Sequence, residues 1–300
     1  MFCLNRGSDW QEPMETSHSW QDSQSSHFFW SKDEADEAQV EQIGVSACGA
    51  TAVINVLKVL KLDHDVETIN SAIHTRLRAE DAPLHEYLFS RALAGTVADD
   101  LIEGFKKVAG DKVYARFYHF FPKRKVNLID WLREWMKMGV VPLMTLNLQR
   151  GVKAGEEIPD AWHHQMVFGV DADHVHLCNP IVACTPEILE EQLCSESVLK
   201  IRREDILSRI DSRCDLEGLN RHSDVRWSEM DVKGQVLKVL REEVSLSLPD
   251  TAYFQVLKKW LFASHICIPA EYKSGITLCC TTDNKEAYEK LKNSSDLPWL

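Results

Sequence analysis

The chain has 300 residues, of which 44% are hydrophobic, 27% charged and 9% aromatic. That supports a sizeable core, excludes general disorder and predicts about two domains at ~150 residues each. Lys and Arg number 34 against 46 Asp and Glu, a net charge of −12, which argues against a nucleic-acid-binding face.

Residues 1–35 are rich in Ser, Gln, Asp and Glu, with isolated Trp10, Trp20 and Trp30 and no sustained period. They predict a disordered polar tail. The start carries no apolar signal core, and no apolar run approaches the ~18–20 residues of a membrane span. A cytoplasmic protein is expected, with the nucleus as the other compartment the sequence allows; neither nucleic acid nor membrane is expected as a partner.

From about Glu41 the pattern becomes globular. Ala52, Val53, Val56, Leu57 and Leu60 share one helical face and predict a helix from Cys48 to Leu60. Asp65 caps a second helix, and two more follow near 83–93 and 96–109. Val113–Tyr118 reads as a strand and Asn127–Met138 as a helix stopped by Gly139. Then the period changes. Val140–Leu146, His164–Val170 and His174–Cys178 are strands, the last two joined as a hairpin at Asp171-Ala172-Asp173. Val198–Ile201 adds a strand. Helices first and an antiparallel sheet afterwards make an α+β fold. Residues 215–300 carry an amphipathic segment, Val232–Val244, an apolar helix near Tyr253–Phe262, strands near 265–269 and 275–281, and a polar helix near 284–293. They form either an appended lobe or a continuation of the sheet.

Nine cysteines include no CxxC pair, so no metal or other cofactor is expected, and the thiols are expected to be free. One of them stands apart. In Gln42-Ile43-Gly44-Val45-Ser46-Ala47-Cys48-Gly49-Ala50, Cys48 sits at the first turn of a predicted helix. There, unpaired N–H groups and the helix dipole favour a thiolate. Gly49 removes bulk where a substrate backbone would approach. Gln42 can offer its amide to an oxyanion if the loop folds back. A base is available from His163 or His164, at the start of a strand whose hairpin partner ends at Asn179-Pro180. The Asn179 amide oxygen is placed to hold the ring's other nitrogen.

Gln-x5-Cys-Gly-Ala opening an apolar helix, Gly139-Val140-Val141-Pro142 before a strand, and His…Gly169…Asn179-Pro180 on a hairpin resemble the papain-like cysteine peptidases. The nearest branch is the bacteriocin-leader (double-glycine) peptidases and their relatives. The resemblance covers about residues 40–205. It implies a papain-like fold with the nucleophile Cys48 at a helix start, oxyanion residue Gln42, a base at His163 or His164, and Asn179 as the orienting residue. The family's spacing of 16 from His to Asp/Asn and of six from His to Gly selects His163. Strand alternation instead places His164 with the apolar Met166, Phe168 and Val170. Asn179 stands where this branch usually has Asp, and without an ATP-binding cassette or membrane domain in these 300 residues the branch's peptide-export role is not expected to carry over. The expected organisation is a tail (1–35), a papain-like catalytic domain (36–214) and a C-terminal extension (215–300). Trp162 is a second cleft candidate beside Gly49.

The expected activity is hydrolysis of peptide or isopeptide bonds in a peptide or protein substrate, through a Cys-His-Asn triad and a thioester. The alternatives are transfer of that acyl group to an acceptor, as in phytochelatin synthase-like enzymes, and an inactive papain-like binding module. Substrate identity and oligomeric state are not encoded in any motif.

Overall fold

The computed structural model describes residues 26–62, 65–152, 156–244 and 262–300. The expected apolar helix near Tyr253–Phe262 falls almost wholly outside them, as do Trp10 and Trp20.

The chain opens with β1 (His27–Phe28) and α1 (Lys32–Ala38), whose Ser31 and Glu34 form a reciprocal capping box. Residues 26–35 are therefore ordered, contrary to the expected tail, and Phe28, Phe29 and Trp30 pack against a buried cluster. Next comes α2 (Cys48–Val59). Its residues Gly49–Leu57 are all buried, so it is a helix enclosed on all sides rather than an amphipathic surface helix. Then follow α3 (Val66–Ala72), capped by Asp65 on the Thr68 N–H, α4 (Leu84–Leu93), α5 (Ala98–Ala109), β2 (Val113–His119) and α6 (Leu128–Lys137). Gly139 ends this run at φ +78°, the left-handed region glycine adopts readily.

The second half supplies β3 (Val141–Asn147), β4 (Trp162–Val170), β5 (Val175–Leu177), β6 (Val182–Cys184), α7 (Pro186–Leu193), β7 (Val198–Arg202), α8 (Arg203–Leu207), α9 (Arg226–Glu229), α10 (Val232–Val244), β8 (His265–Pro269), β9 (Gly275–Thr281) and α11 (Lys285–Asn293). The main sheet is antiparallel in the order β2-β9-β3-β4-β5-β6, with β1 on the far end of β4; β7 and β8 form a separate pair. The fold is thus mixed helix and antiparallel sheet, the α+β arrangement expected.

Position 214/215 is not a boundary in this fold. β9 runs between β2 and β3, in the middle of the sheet, with Thr277 opposite both Phe117 and Leu143. The C-terminal region continues the sheet rather than extending it. Strand alternation alone cannot reveal this, because it fixes which face a side chain takes and not which strand lies alongside.

Helices cover both faces of the sheet. On one, α2, α3 and α5 bury Val53, Leu57 and Phe105 against Leu143, Met166 and Phe168; on the other, α6, α7 and α11 bury Leu132, Leu193 and Leu291 against Met144, Val167 and Leu278. Each such burial contributes about 1.5–3 kcal/mol. A third cluster, centred on Trp227, joins α4, α8 and α10 to the β7–β8 pair. No helix among the described residues is long and apolar enough to cross a membrane.

Candidate active site

Cys48 is the first residue of α2, and no side chain caps the helix: Ala47 stands at the N-cap. The approach to it is pinned by buried polar groups of the helix. Asn55 accepts from the Val40 N–H at 2.8 Å and donates to the Val40 carbonyl at 3.2 Å. The Thr51 hydroxyl accepts from the Ile43 N–H at 3.3 Å and donates to the Ala47 carbonyl at 2.9 Å. The segment leading to the thiol is thus fixed by α2 itself. The N–H groups of Cys48, Gly49 and His164 are directed at the sulfur and favour the thiolate, but burial outweighs them and pushes the thiol above its ordinary range. Cys48 is half-buried and free.

The two histidines differ sharply. His164 is 0% exposed and lies on the α2 side of β4. Its Nε2–H donates to the Thr96 carbonyl at 2.9 Å, so Nδ1 is unprotonated and accepts from the Thr145 hydroxyl at 3.1 Å. Burial holds its pKa down at about 4. Both nitrogens are used and the ring stays neutral, which makes it a core residue and unsuited to act as a base. His163 is partly buried and uses only one nitrogen: Nε2–H donates to the main-chain carbonyl of Asn179 at 2.7 Å. A carbonyl only accepts, so Nδ1 is left without a proton. Burial pushes this ring's pKa down as well.

Asn179 holds His163 through its backbone, not through the amide expected from sequence. Its φ is +61°, its N–H donates to Gln39 Oε1 at 2.9 Å, and its Nδ2 is buried with no hydrogen-bond partner among the described residues. Gln165 reinforces the same turn. Its Nε2 approaches the carbonyls of Cys178, Asn179 and Pro180 at 3.3–3.4 Å, which explains a buried polar residue at this position of β4.

Cys48, Gln42, Trp162 and His163 open onto one cleft of about 340 Å³, with Arg78 and Arg91 along its α4 side. Among the described residues no hydrogen bond joins Sγ to either imidazole. Gln42 is exposed and donates to the Gly44 carbonyl at 2.8 Å, so its amide serves its own loop. Gly49 is buried and does not line the cleft: a Cβ there would lie 3.0 Å from Thr96. Its missing side chain admits Thr96, not a substrate.

Tyr272 escaped the sequence reading because no motif precedes it. It lies between β8 and β9, lines the cleft, and stacks on Trp162 with centroids 4.8 Å apart and planes 10° off parallel. Gly95 is required beside it: φ is +107°, and a Cβ would come within 1.8 Å of the phenol oxygen. Among the described residues no three His, Cys, Asp or Glu side chains group as a metal site needs. His176 pairs with Asp171 at 2.7 Å.

No family model and no curated protein matches this chain. Among solved structures it is similar to a candidate C39-like peptidase from Bacillus anthracis. The identity is 16%, the match covers 53% of this chain and 90% of that one, and the TM-score is 0.37.

Proposed function

We propose that the protein is a cysteine hydrolase of peptide or isopeptide bonds, with Cys48 as nucleophile and His163 as base. One observation carries the reading: Cys48 at an uncapped helix start and His163, tethered at Nε2 and unprotonated at Nδ1, open onto the same cleft. Both burial effects favour the neutral thiol and the neutral ring. The reaction therefore begins from that pair, not from a standing thiolate–imidazolium pair. Sγ bonds to the substrate carbonyl carbon as its proton passes to Nδ1 of His163. The N–H groups at the start of α2 face the developing oxyanion. Collapse expels the amine, which takes the proton from Nδ1, and leaves a thioester. Water, deprotonated by the same nitrogen, then releases the acid and restores the thiol. Catalytic hydrogen bonds are often long before substrate binds, which accommodates the separation of sulfur and ring.

A second reading, a peptide-binding module without turnover, is favoured by the neutral thiol and by Gln42 being occupied with Gly44. Peptide-library digestion followed by mass spectrometry decides between them. Hydrolysis by the wild type that disappears in Cys48→Ala supports the hydrolase. Binding without cleavage by either protein supports the module.

A further inference from the structure

The α4 side of the cleft holds a charge that nothing among the described residues fully answers. Arg91 lies on α4 with its side chain only 9% exposed. A guanidinium brings five N–H donors and stays charged at any physiological pH. Among the described residues none of them makes a hydrogen bond, and Nε is buried without a partner. Its one ion-pair contact is Asp160 Oδ1 at 3.8 Å, too long for a hydrogen bond. That oxygen is already ion-paired with Arg78 at 2.8 Å, and the Asp160 side chain is 66% exposed. Arg78 adds repulsion, and the other acidic group acting on Arg91, Asp205, pairs with Arg202 at 2.9 Å and Arg209 at 3.7 Å. A buried polar group is ordinarily satisfied, and an unanswered one at the wall of a cleft is placed to take its partner from a ligand. The residue lines the cleft that also holds Cys48.

We propose that Arg91 anchors a carboxylate of the peptide whose carbonyl Cys48 attacks, an inference that rests on the hydrolase reading above. The planar fork of a guanidinium matches a carboxylate with two parallel N–H···O bonds. Arg78 is the weaker candidate because its head group already serves Asp160. The rim of the same cleft carries Val45 and Leu77, 87% and 74% exposed, so the rest of the ligand is aliphatic. The carboxylate comes either from a peptide's C-terminus or from an Asp or Glu side chain. Both present the same chemistry to Arg91.

Binding by fluorescence anisotropy to the full chain bearing Cys48→Ala tests this without turnover. Three labelled peptides share one aliphatic sequence: one with a free C-terminus, one amidated, and one amidated but carrying Glu. At least one carboxylate-bearing peptide is expected to bind tenfold or more tightly than the neutral one, and which of the two does so identifies the source. Arg91→Met should abolish the preference, with a melting temperature no lower than that of its parent. Arg91→Lys, which keeps the charge but loses the fork, should retain part of it and serves if Arg91→Met does not fold. Equal binding of all three, binding of none, or a preference that survives Arg91→Met overturns the proposal. Hydrolysis of the same peptides by the wild type is read separately. An Arg91-dependent preference without cleavage supports the anchor and removes the hydrolase.

Discussion

On the sheet side of the cleft, His164 has both ring nitrogens bonded, to Thr96 and Thr145, and is sealed in the core. On the α4 side, Arg91 is nearly as buried and has no hydrogen bond to any described residue. His163 is intermediate in this respect, with one nitrogen held by Asn179. Burial alone does not distinguish these three groups; the number of their answered donors and acceptors does. In the proposed reading, the satisfied His164 holds the fold together, while the unanswered atoms of His163 and Arg91, both lining the cleft, are the ones open to chemistry or a ligand.

The sharpest way to break this contrast is at the sulfur. Cys48→Ala should lower peptide hydrolysis by a factor on the order of 10⁶, measured as initial rates, because it removes the nucleophile of the proposed reaction. Next come the neighbouring histidines. His163→Ala should lower turnover by about 10²–10⁴-fold with little change in melting temperature. His164→Ala should act the other way, destabilising the fold by about 2–4 kcal/mol in urea titrations by leaving Thr145 and Thr96 unanswered. If the two exchange phenotypes, the roles assigned to them are reversed.

The pH dependence of stability follows from the same contrast. His164 has a folded pKa of about 4 against 6.5 for an unperturbed ring. Above pH 6.5 both states are neutral and the group adds no pH dependence. As pH falls from 6.5 toward 4, the unfolded chain takes up a proton that the folded one refuses. Stability drops by about 3 kcal/mol over that window. His163, also lowered, adds in the same direction. Urea unfolding at pH 7 and pH 4.5 measures the drop, and His164→Gln should flatten it; an unchanged slope would contradict a neutral buried ring.

The smallest effect is expected at Asn179. Because its main-chain carbonyl holds His163 and its φ is +61°, Asn179→Gly preserves both features and should change kcat/KM by no more than about threefold. A loss of 10²-fold or more would mean that the side chain orients the ring after all.

Much of the fold was legible because its signals are local. The apolar face of Cys48–Leu60, the Asp65 cap and the Gly139 stop each depend on near neighbours, and α2, α3 and α6 lie within a residue or two of expectation. The central place of β9 was not legible, since strand order is settled by long-range pairing. The strap of residues 26–47 was hidden for a related reason. Its order comes from Asn55, Thr51 and Asn179, which meet it from elsewhere in the chain. At the site, alternation along β4 grouped His164 correctly with Met166 and Phe168 but wrongly with Val170, which an irregularity between Val167 and Gly169 turns to the opposite face. It gave no hint that Thr96 and Thr145 would answer both ring nitrogens, or that Asn179 would use its backbone. Tyr272 and Arg91 carry no motif at all, and only packing brings them to Cys48.

The central claim is that Cys48 and His163 act as one unit, and the most direct measurement is covalent capture by a peptide bearing an electrophile in place of its scissile carbonyl. Intact-mass spectrometry should find a single adduct, mapped to Cys48. It should form at least 10²-fold more slowly in His163→Ala and at the wild-type rate in a folded His164→Gln. Labelling that is spread over other cysteines, or that reaches Cys48 equally fast without His163, would contradict it.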